Sequence, residues 1–319
     1  MNSEERFELI TRNSAEIVTE DNLKELLRKK KKPTAYCGYE PSGPMHLGHF
    51  VTILKLMDLE KAGFDVKILL ADIHALLNRK GSEDEIKKEV NAWKKTIKAI
   101  GVNAEVVLGS DFEFSKDYQL DVMRLAQNLT INRGLRGMQE VARDIENATI
   151  SQLWYPLMQV VDIKYLGVDV AVGGMEQRKI HMVGRENENS LGHKFVAFHT
   201  PLITSLKGLG EKMSKSIEGS WISITDSYDK IKKTITGAYC PEKIAENNPI
   251  LEICKLIVFP LLKKFEIKRP EKFGGNLEYS NYVDLERDFS AGKLHPMDLK
   301  NSVASSLEEI IAPIRKNFK

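Results

Sequence analysis

The sequence has few cysteines, no long apolar run and almost no excess of either charge. Its three cysteines, Cys37, Cys240 and Cys254, are odd in number and far apart, which excludes a disulfide framework and a paired zinc site and favours a reducing cytoplasm. The longest apolar runs, at 66–77 and 250–262, contain charged side chains and are shorter than a bilayer span. The N-terminus is acidic where a secretion signal is basic. We therefore expect a cytoplasmic protein without a membrane segment.

The charge balance bounds the kinds of partner. Forty-seven basic and 45 acidic residues give a formal net charge of +2. This excludes a polycation that binds nucleic acid through charge alone, but it is compatible with an enzyme whose basic residues lie on one face. The length of 319 residues corresponds to about two domains at roughly 150 residues each.

Strand and helix patterns alternate through the first two thirds of the chain. The predicted strands are 34–40, 66–74, 104–109 and 168–172, and the predicted helices are 46–62, a stretch ending at 100, 118–142 and 155–165. This alternation predicts a parallel α/β sheet with a helical insertion in its middle. Helical patterning dominates from Ser227 onward. We place a domain boundary near 217–226, which divides the chain into 1–222 and 223–319.

Two histidines stand where a predicted strand and turn lead into a helix. His46-Leu-Gly-His49 lies at the N-terminal end of that helix, where backbone N–H groups and the helix dipole favour an anion. The imidazoles add donors on one face. Gly48 lacks a side chain, so a flat ring such as adenine could approach the backbone there. The motif predicts an ATP site in which the histidines hold phosphates.

Two other interpretations of this pair stay open. His46 and His49 have the spacing of two metal ligands, with Asp72 and His74 as further ligands, but no additional His or Glu cluster completes a site at the usual spacing. The pair could also be purely structural.

A lysine motif favours the ATP interpretation. Lys212-Met-Ser-Lys-Ser216 follows a glycine-rich loop that begins at Lys207, and it carries two ammonium groups and two hydroxyls. In adenylate transfer, positive charge and positioning stabilise the charged α-phosphate and the leaving pyrophosphate. Such a loop alone is usually solvated surface, but together with the histidine motif it indicates a nucleotide site.

The two motifs make the chain resemble the class I aminoacyl-tRNA synthetases, and most closely the tyrosyl-tRNA synthetases of the archaeal and eukaryotic type. The resemblance runs almost end to end, through the segments Tyr36–Gly43, Leu69–His74, Tyr155–Asp162, Gly173–His181 and Leu294–Lys300. It implies a Rossmann-like parallel-sheet catalytic domain at 1–222, with a helical insertion at about 112–150. It also implies an α-helical anticodon-binding domain at 223–319.

The resemblance implies a two-step reaction: L-tyrosine and ATP form tyrosyl-adenylate and pyrophosphate, and the tyrosine is then transferred to tRNA(Tyr). Magnesium is expected to accompany ATP as part of the substrate, and no structural metal bound by the protein is expected. The implied catalytic residues are His46, His49, Lys212 and Lys215, and the implied ATP-binding residues add Gly48, Met213, Ser214 and Ser216.

A polar helix face suits the amino-acid substrate. Tyr155, Gln159 and Asp162 are spaced four and three, so they share one face and can converge on a ligand, unless that face simply meets solvent. By resemblance, Asp162 and Tyr36 bind the phenol hydroxyl of tyrosine. Tyrosyl-tRNA synthetases are known to reject phenylalanine about 100,000-fold without editing. The full tyrosine-binding set implied is Tyr36, Gly38, Glu40, His74, Tyr155, Gln159, Asp162 and Gln177.

Departures from the family pattern occur near this pocket. Leu76 and Met123 stand where relatives often have tyrosine, and Glu113 stands where glutamine is usual.

The resemblance also implies tRNA contacts. Arg136 and Arg178 match basic readers of the first acceptor base pair, although each could be an ordinary exposed arginine. In the anticodon-binding part, Asp298 matches the residue that accepts a hydrogen bond from the first anticodon base, a guanine. Phe273 matches the residue on which this base stacks, and His295 lies close by. Asp298 could instead cap the last helix, or do both. A homodimer formed through the insertion is expected from the resemblance.

Three alternatives remain at this point. One is a tryptophan-specific synthetase of the same fold, which would prefer a pocket without the pair Tyr36 and Asp162. A small-molecule nucleotidyltransferase would not need the helical C-terminal hundred residues. A non-catalytic RNA-binding paralogue would not need the intact histidine and lysine motifs.

Overall fold

The computed structural model of the chain describes residues 1–139, 147–208, 212–214 and 217–318. The chain forms two compact units. The first consists of Met1–Pro44, Thr52–Lys94 and Val102–Pro201, and the second of Met45–Val51, Lys95–Gly101 and Leu202–Lys319. Within the described ranges, no helix combines the length and apolarity needed to cross a membrane.

The described elements are eight strands and fifteen α-helices, with short 3-10 and π turns between them. The strands are β1 (Glu16–Val18), β2 (Thr34–Tyr39), β3 (Asp65–Leu70), β4 (Glu105–Leu108), β5 (Val170–Gly174), β6 (Val196–Thr200), β7 (Phe265–Ile267) and β8 (Leu277–Tyr279). The helices are α1 (Ser3–Thr11), α2 (Glu20–Lys29), α3 (Leu47–Lys61), α4 (Asp72–Leu77), α5 (Glu83–Ile100), α6 (Lys116–Gln127), α7 (Ile131–Met138), α8 (Ile150–Tyr165), α9 (Arg178–Glu186), α10 (Glu188–Leu191), α11 (Tyr228–Thr236), α12 (Pro249–Ile253), α13 (Phe259–Leu261), α14 (Tyr282–Ser290) and α15 (Pro296–Phe318).

The first unit is built on a six-stranded sheet in the order β1-β6-β5-β2-β3-β4. All neighbouring strands are parallel except β1, which pairs antiparallel with β6 at the edge. The chain moves outward from β2 through β3 to β4 on one side, and from β5 to β6 on the other. The point where the strand order reverses therefore lies between β2 and β5, and open α/β sheets bind ligands outside the carboxyl ends of the strands at such a point.

Two apolar cores hold the first unit together. One packs the helices of the insertion against α8 and α9, with Tyr118, Met158 and Val183 almost fully buried. The other packs one face of the sheet, including Tyr36 and Leu69. Because such interiors are close-packed, polar side chains that enter them are held in fixed positions.

The second unit is mainly helical. Helix α11 packs against α15, and α15 buries Leu299, Val303, Leu307 and Ile311 completely, with Ile314 at 7% exposure. These apolar residues recur along the sequence at the spacing of one helix face. A small antiparallel sheet of β7 and β8 accompanies the helices.

The predicted fold is confirmed as a Rossmann-like α/β arrangement followed by helices, with local corrections. The strand predicted for 66–74 ends at Leu70, because Ala71 N–H donates to Tyr39 O and Ala75 N–H already donates to Ala71 O in a helical turn. The helix predicted for 118–142 is interrupted, since Thr130 caps α7 by accepting from Arg133 N–H. Its end falls on residues 140–146, outside the described part. Strands β1, β6, β7 and β8 are not among the strands predicted from the sequence.

Candidate active site

The residues predicted to bind the amino acid gather in the first unit, around the point of strand reversal. Tyr36 lies on β2, and Gly38 and Glu40 lie near and just beyond its carboxyl end, while Gln177 follows β5. The Tyr36 side chain is 1% exposed. Burial, followed by the nearby charge of Asp162, raises the pKa of its phenol well above the ordinary value, so Tyr36 stays neutral and can donate a hydrogen bond.

Helix α8 presents the predicted polar face to the same region. Tyr155 and Asp162 are buried, which excludes the alternative in which this face meets solvent. Gln159 Nε2 donates to Gln177 Oε1 at 3.0 Å, so these two amides, which come from different elements, lie together. The spacing of four and three therefore places the side chains where the sequence predicts.

Asp162 is held by a residue that the sequence analysis did not assign to the site. The hydroxyl of Tyr118 on α6 lies 2.7 Å from Oδ1 of Asp162 and 3.0 Å from Met158 O. The second carboxyl oxygen, Oδ2, lies 3.5 Å from Nε2 of His74. Burial raises the pKa of Asp162 to about 8, and the carboxylate of Glu113 adds to this rise.

His74 lies between two carboxyl groups. Its Nδ1 faces Oε1 of Glu113 at 3.5 Å and its Nε2 faces Asp162. The ring also packs edge-on against Tyr155, with centroids 4.6 Å apart. Burial by itself lowers the pKa of His74, but Glu113 and Asp162 outweigh it and raise that pKa to about 9. The ring is therefore an imidazolium at neutral pH.

The spacing of these groups also invites comparison with a metal site. Within the described ranges, His74, Glu113 and Asp162 offer ligand atoms within 4.8 Å of one another. However, the ring presents a different nitrogen to each carboxyl group. The two contacts are those of an imidazolium that bridges two carboxyl groups.

Glu40 lies at the edge of this group. Asn78 Nδ2 donates to its Oε2 at 2.9 Å, and Lys80 Nζ lies 3.4 Å from its Oε1. Its carboxylate is among the charges that raise the pKa values of His74 and Tyr155. Gly38 is exposed beside this segment.

In the second unit, the two histidines of the first motif form a capping arrangement. Nδ1 of His46 accepts from Gly48 N–H at 3.1 Å, and Nδ1 of His49 accepts from His46 N–H at 3.2 Å. The rings lie 3.8 Å apart at their centroids. Because each Nδ1 accepts, a neutral ring carries its proton on Nε2. Capping therefore fixes the tautomer and leaves Nε2–H as the donor of each imidazole.

Gly48 is explained in part by this cap. A Cβ at position 48 would lie 2.9 Å from Cε1 of His46, closer than real Cβ contacts allow. The cap is also fixed by the backbone of 222–224: Leu47 N–H donates to Ile222 O at 3.0 Å and Ile224 N–H donates to Met45 O at 3.1 Å. The structural and functional interpretations of the pair are thus compatible.

The lysine motif is described only in part. Lys212 pairs with Thr204 in an isolated bridge, and Met213 N–H donates to Ile203 O at 2.8 Å. Met213 is buried whereas Lys212 is exposed. Ser214 O accepts from Ser220 Oγ. Lys215 and Ser216 lie outside the described residues.

Arg178 is one of the two predicted tRNA contacts in the first unit. It is anchored by Glu16, and two buried histidines lie behind that carboxylate. Nε of Arg178 donates to Glu16 Oε2 at 2.7 Å, and His199 Nδ1 lies 3.0 Å from the same oxygen. His199 Nε2 is in turn 3.0 Å from His181 Nδ1. Burial, and then the neighbouring His199 ring, lowers the pKa of His181 to about 3, so this ring is neutral. Glu16 therefore sets the position of the Arg178 guanidinium.

Arg136 has a simpler environment. It lies on the exposed side of α7, and its Nε donates to Asn132 O at 3.3 Å, one turn earlier in the same helix. Nothing in this contact distinguishes it from an ordinary exposed arginine.

The predicted anticodon residues lie in the second unit. Phe273 is 58% exposed, and Lys272 Nζ lies 4.9 Å from the centre of its ring. Arg269 donates to Gly275 O and to Lys293 O at 2.6 and 2.9 Å, which ties the turn that carries Phe273 to the segment before His295.

The capping alternative for Asp298 is wrong. The start of α15 is capped by His295, whose Nδ1 accepts from Met297 N–H at 3.2 Å. Asp298 lies inside the first turn, where its own N–H donates to His295 O at 3.1 Å. Its partly exposed carboxylate is thus not used as an N-cap.

Comparisons with known proteins show which sequences and structures the chain resembles. A family sequence model described as tRNA synthetases class I (W and Y) matches residues 28–312. The tyrosine–tRNA ligase of Archaeoglobus fulgidus is 48% identical over 322 residues, covering 100% of this chain and 99% of the relative. That of Methanocaldococcus jannaschii is 51% identical over 315 residues, covering 98% of this chain and 100% of the relative.

A solved structure extends the similarity to the fold. The crystal structure of the tyrosyl-tRNA synthetase from Archaeoglobus fulgidus, determined with bound L-tyrosine, matches this chain with a TM-score of 0.96 and 47% identity. The match covers 100% of each chain.

Proposed function

The chain belongs to the class I tRNA synthetases of the tryptophan and tyrosine group, and on this basis we propose that it is a tyrosine–tRNA ligase. It activates L-tyrosine with ATP and transfers the tyrosine to tRNA(Tyr). The observation that carries the tyrosine assignment is the buried pair of Tyr36 and Asp162 at the point of strand reversal. A buried site that offers polar partners to a phenol rejects a ligand without one, because its own groups would be left unpaired.

The tyrosine-binding residues divide by the ends of the substrate. Asp162 accepts from the phenol hydroxyl and Tyr36 donates to it. Tyr155, Gln159 and Gln177 bind the α-amino end, which the contact between the two amides supports. The remaining members of the proposed set, Gly38, Glu40 and His74, line the same region.

ATP is bound by the histidine and lysine motifs. The Nε2 donors of His46 and His49 stabilise the charge on the phosphates, and Gly48 keeps the backbone accessible. The ammonium groups of Lys212 and Lys215 stabilise the leaving pyrophosphate, and Met213, Ser214 and Ser216 complete the segment. Magnesium enters and leaves with the phosphates.

The reaction needs no protein nucleophile. A carboxylate oxygen of tyrosine attacks the α-phosphorus of ATP, the bond from that phosphorus to the bridging oxygen breaks, and pyrophosphate leaves. The terminal ribose hydroxyl of the tRNA then attacks the carbonyl carbon of the mixed anhydride, loses its proton, and AMP leaves. Both steps depend on positioning and on charge stabilisation.

The tRNA is recognised by two groups of residues. In the catalytic domain, residues 1–222, Arg136 and Arg178 read the first acceptor base pair. In the anticodon-binding domain, residues 223–319, Phe273 stacks on the first anticodon base, Asp298 accepts from it and His295 lies nearby. The availability of the Asp298 carboxylate, which does not cap α15, supports this assignment.

The enzyme acts as a homodimer in the cytoplasm. Large apolar side chains of the insertion and its flanks are exposed to an unusual degree: Phe114 at 69%, Met123 at 51%, Ile131 at 69% and Ile150 at 81%. A second copy would cover such a surface. Light scattering of the purified chain should give twice the monomer mass. The double variant Met123→Asp and Ile131→Asp should give the mass of one monomer.

Aminoacylation tests the proposal. The purified chain is expected to attach tyrosine to tRNA(Tyr) in the presence of ATP and magnesium, and to attach neither phenylalanine nor tryptophan. Attachment of tryptophan to tRNA would instead favour a tryptophan-specific synthetase of the same fold. Failure to charge any amino acid, together with retained tRNA binding, would favour a non-catalytic paralogue.

A further inference from the structure

Three ionisable side chains meet in the core of the first unit without the hydrogen bonds that such groups normally make. His74 is 1% exposed, and Glu113 and Asp162 are fully buried. Five of their polar atoms have no hydrogen-bond partner: both ring nitrogens of His74, both oxygens of Glu113 and Oδ2 of Asp162. Buried groups left in this state are costly, so the arrangement requires an explanation.

Glu113 makes the charge count unusual. Glutamine is usual at this position in the family that the chain resembles. A neutral glutamine would leave His74 and Asp162 as an ion pair with no net charge. With Glu113, two carboxyl groups face a single imidazolium. A net negative charge in a fully buried cluster is unfavourable, and the cluster lowers that cost by binding one more proton.

The contacts of Tyr118 indicate where this proton lies. Its hydroxyl is 2.7 Å from Asp162 Oδ1 and 3.0 Å from Met158 O, but it has one hydrogen to donate. If Asp162 is protonated, Asp162 donates to Tyr118 and Tyr118 donates to Met158 O, and both contacts are satisfied.

We propose that Glu113 is a positioning residue that holds the His74 ring between two carboxyl groups and thereby controls the proton on Asp162, the group that selects tyrosine. The inference rests on the proposed function, in which the phenol donates to an ionised Asp162. Tyrosine then binds only after Asp162 loses its proton, so binding releases that proton.

The groups that face Asp162 from the surrounding elements do not supply the proton instead. Tyr36 from β2, Tyr118 from α6 and Tyr155 from α8 all have pKa values raised by burial, so they remain neutral. Glu40, which acts on His74 from the end of β2, is already bound by Lys80 and by an amide. Asp162, which faces His74 and is affected by the charge of Glu113, is therefore the group whose proton is released.

The direction of the pH effect follows from these groups. Burial and Glu113 raise the pKa of Asp162 to about 8. Below that pH the protonated form dominates, and the apparent affinity for tyrosine is reduced by the fraction that is ionised. At pH 7 the ionised form is therefore the minor one.

Calorimetry with L-tyrosine and the full chain, in buffers containing EDTA, tests the inference. Paired buffers with different heats of ionisation report the protons released per tyrosine bound between pH 6.5 and 8.5. The native protein should release protons on binding tyrosine at pH 7 and fewer at pH 8.5. Glu113→Gln, which removes one charge at nearly constant volume, should release fewer protons and bind tyrosine several-fold more tightly at pH 7, and this difference from the native protein should shrink at pH 8.5.

Two further variants sharpen the comparison. Glu113→Asp keeps a carboxyl group and should retain the proton release. Glu105→Gln removes the same charge from an exposed position on β4, next to Lys67, and should behave as the native protein does. Circular dichroism melts establish that each variant folds.

The outcomes separate this inference from the function on which it rests. Equal proton release and equal pH dependence in native protein and Glu113→Gln would overturn the role of Glu113 and leave the tyrosine specificity standing. If Glu113→Gln does not fold, the absence of proton release in the native protein would be enough to overturn the inference. If the native protein bound no tyrosine at any pH, the proposed function itself would fail.

Discussion

The hydroxyl of Tyr118 lies 2.7 Å from Oδ1 of Asp162, within hydrogen-bond distance, although 44 residues separate the two in the sequence. Tyr118 belongs to the insertion and Asp162 to the helix that carries the predicted polar face. The insertion therefore orients the carboxyl group that we assign to the substrate phenol.

Removing this contact should weaken tyrosine recognition. Tyr118→Phe deletes a hydrogen bond to an ionisable group, worth about 1.5–3 kcal/mol, so the KM for tyrosine in pyrophosphate exchange should rise by roughly tenfold or more. Tyr165→Phe is a matched control, because the Tyr165 ring packs edge-on against the Tyr118 ring, with centroids 5.0 Å apart, and Tyr165 takes no part in the contact between Tyr118 and Asp162. An equal change in both variants would point to general loosening of the core.

The histidine cap yields a prediction about rate rather than stability. Asparagine is a good N-cap residue, so His46→Asn keeps an acceptor for the start of α3 while removing the Nε2 donor. We expect kcat for pyrophosphate exchange to fall about 100-fold, as for loss of one transition-state donor, with the dissociation constant for tyrosine unchanged. A normal kcat in a folded His46→Asn protein would restrict His46 to the structural role.

The anchoring of Arg178 predicts a separation between the two reaction steps. Glu16→Gln weakens the contact that positions the guanidinium, so the kcat/KM for tRNA charging should fall several-fold, or about 1 kcal/mol. Pyrophosphate exchange, which needs no tRNA, should not change. Glu20→Gln, at an exposed carboxylate paired with Lys24 on α2, should affect neither assay. Loss of exchange in Glu16→Gln would contradict a role limited to tRNA.

The cap of α15 allows recognition to be separated from folding. His295→Ala removes the N-cap and should destabilise the protein by about 1 kcal/mol in chemical denaturation. Asp298→Ala removes only a first-turn charge, which is worth about 0.3–1 kcal/mol, yet it should raise the KM for tRNA in charging assays. An unchanged KM for tRNA in Asp298→Ala would show that this carboxylate does not contact the tRNA.

Short-range patterns account for what the sequence predicts well. The spacing of Tyr155, Gln159 and Asp162 defines one helix face, and the apolar repeat of the last helix defines its buried side, because both depend only on 3.6 residues per turn. The alternation of strands and helices likewise indicates the parallel sheet.

Contacts between distant segments were not predictable in this way. His74 was expected on a strand because the apolar run continues past Leu70, whereas the backbone turns into α4 at Ala71. The roles of Tyr118 and Glu16 depend on tertiary pairing with residues far along the chain. A three-residue edge strand such as β1 carries too little pattern to be recognised. Glu113 had a sequence signal, since it departs from the family pattern, but its partners emerge only from the fold.

Pyrophosphate exchange with each of the twenty amino acids, in the native protein, Asp162→Ala and Tyr36→Phe, tests the central claim most directly. The account predicts exchange with tyrosine alone, and a loss of tyrosine-dependent exchange of about tenfold or more in each variant, because each leaves one side of the phenol unpaired. Exchange with a different amino acid, or undiminished exchange with tyrosine in both variants, would contradict it.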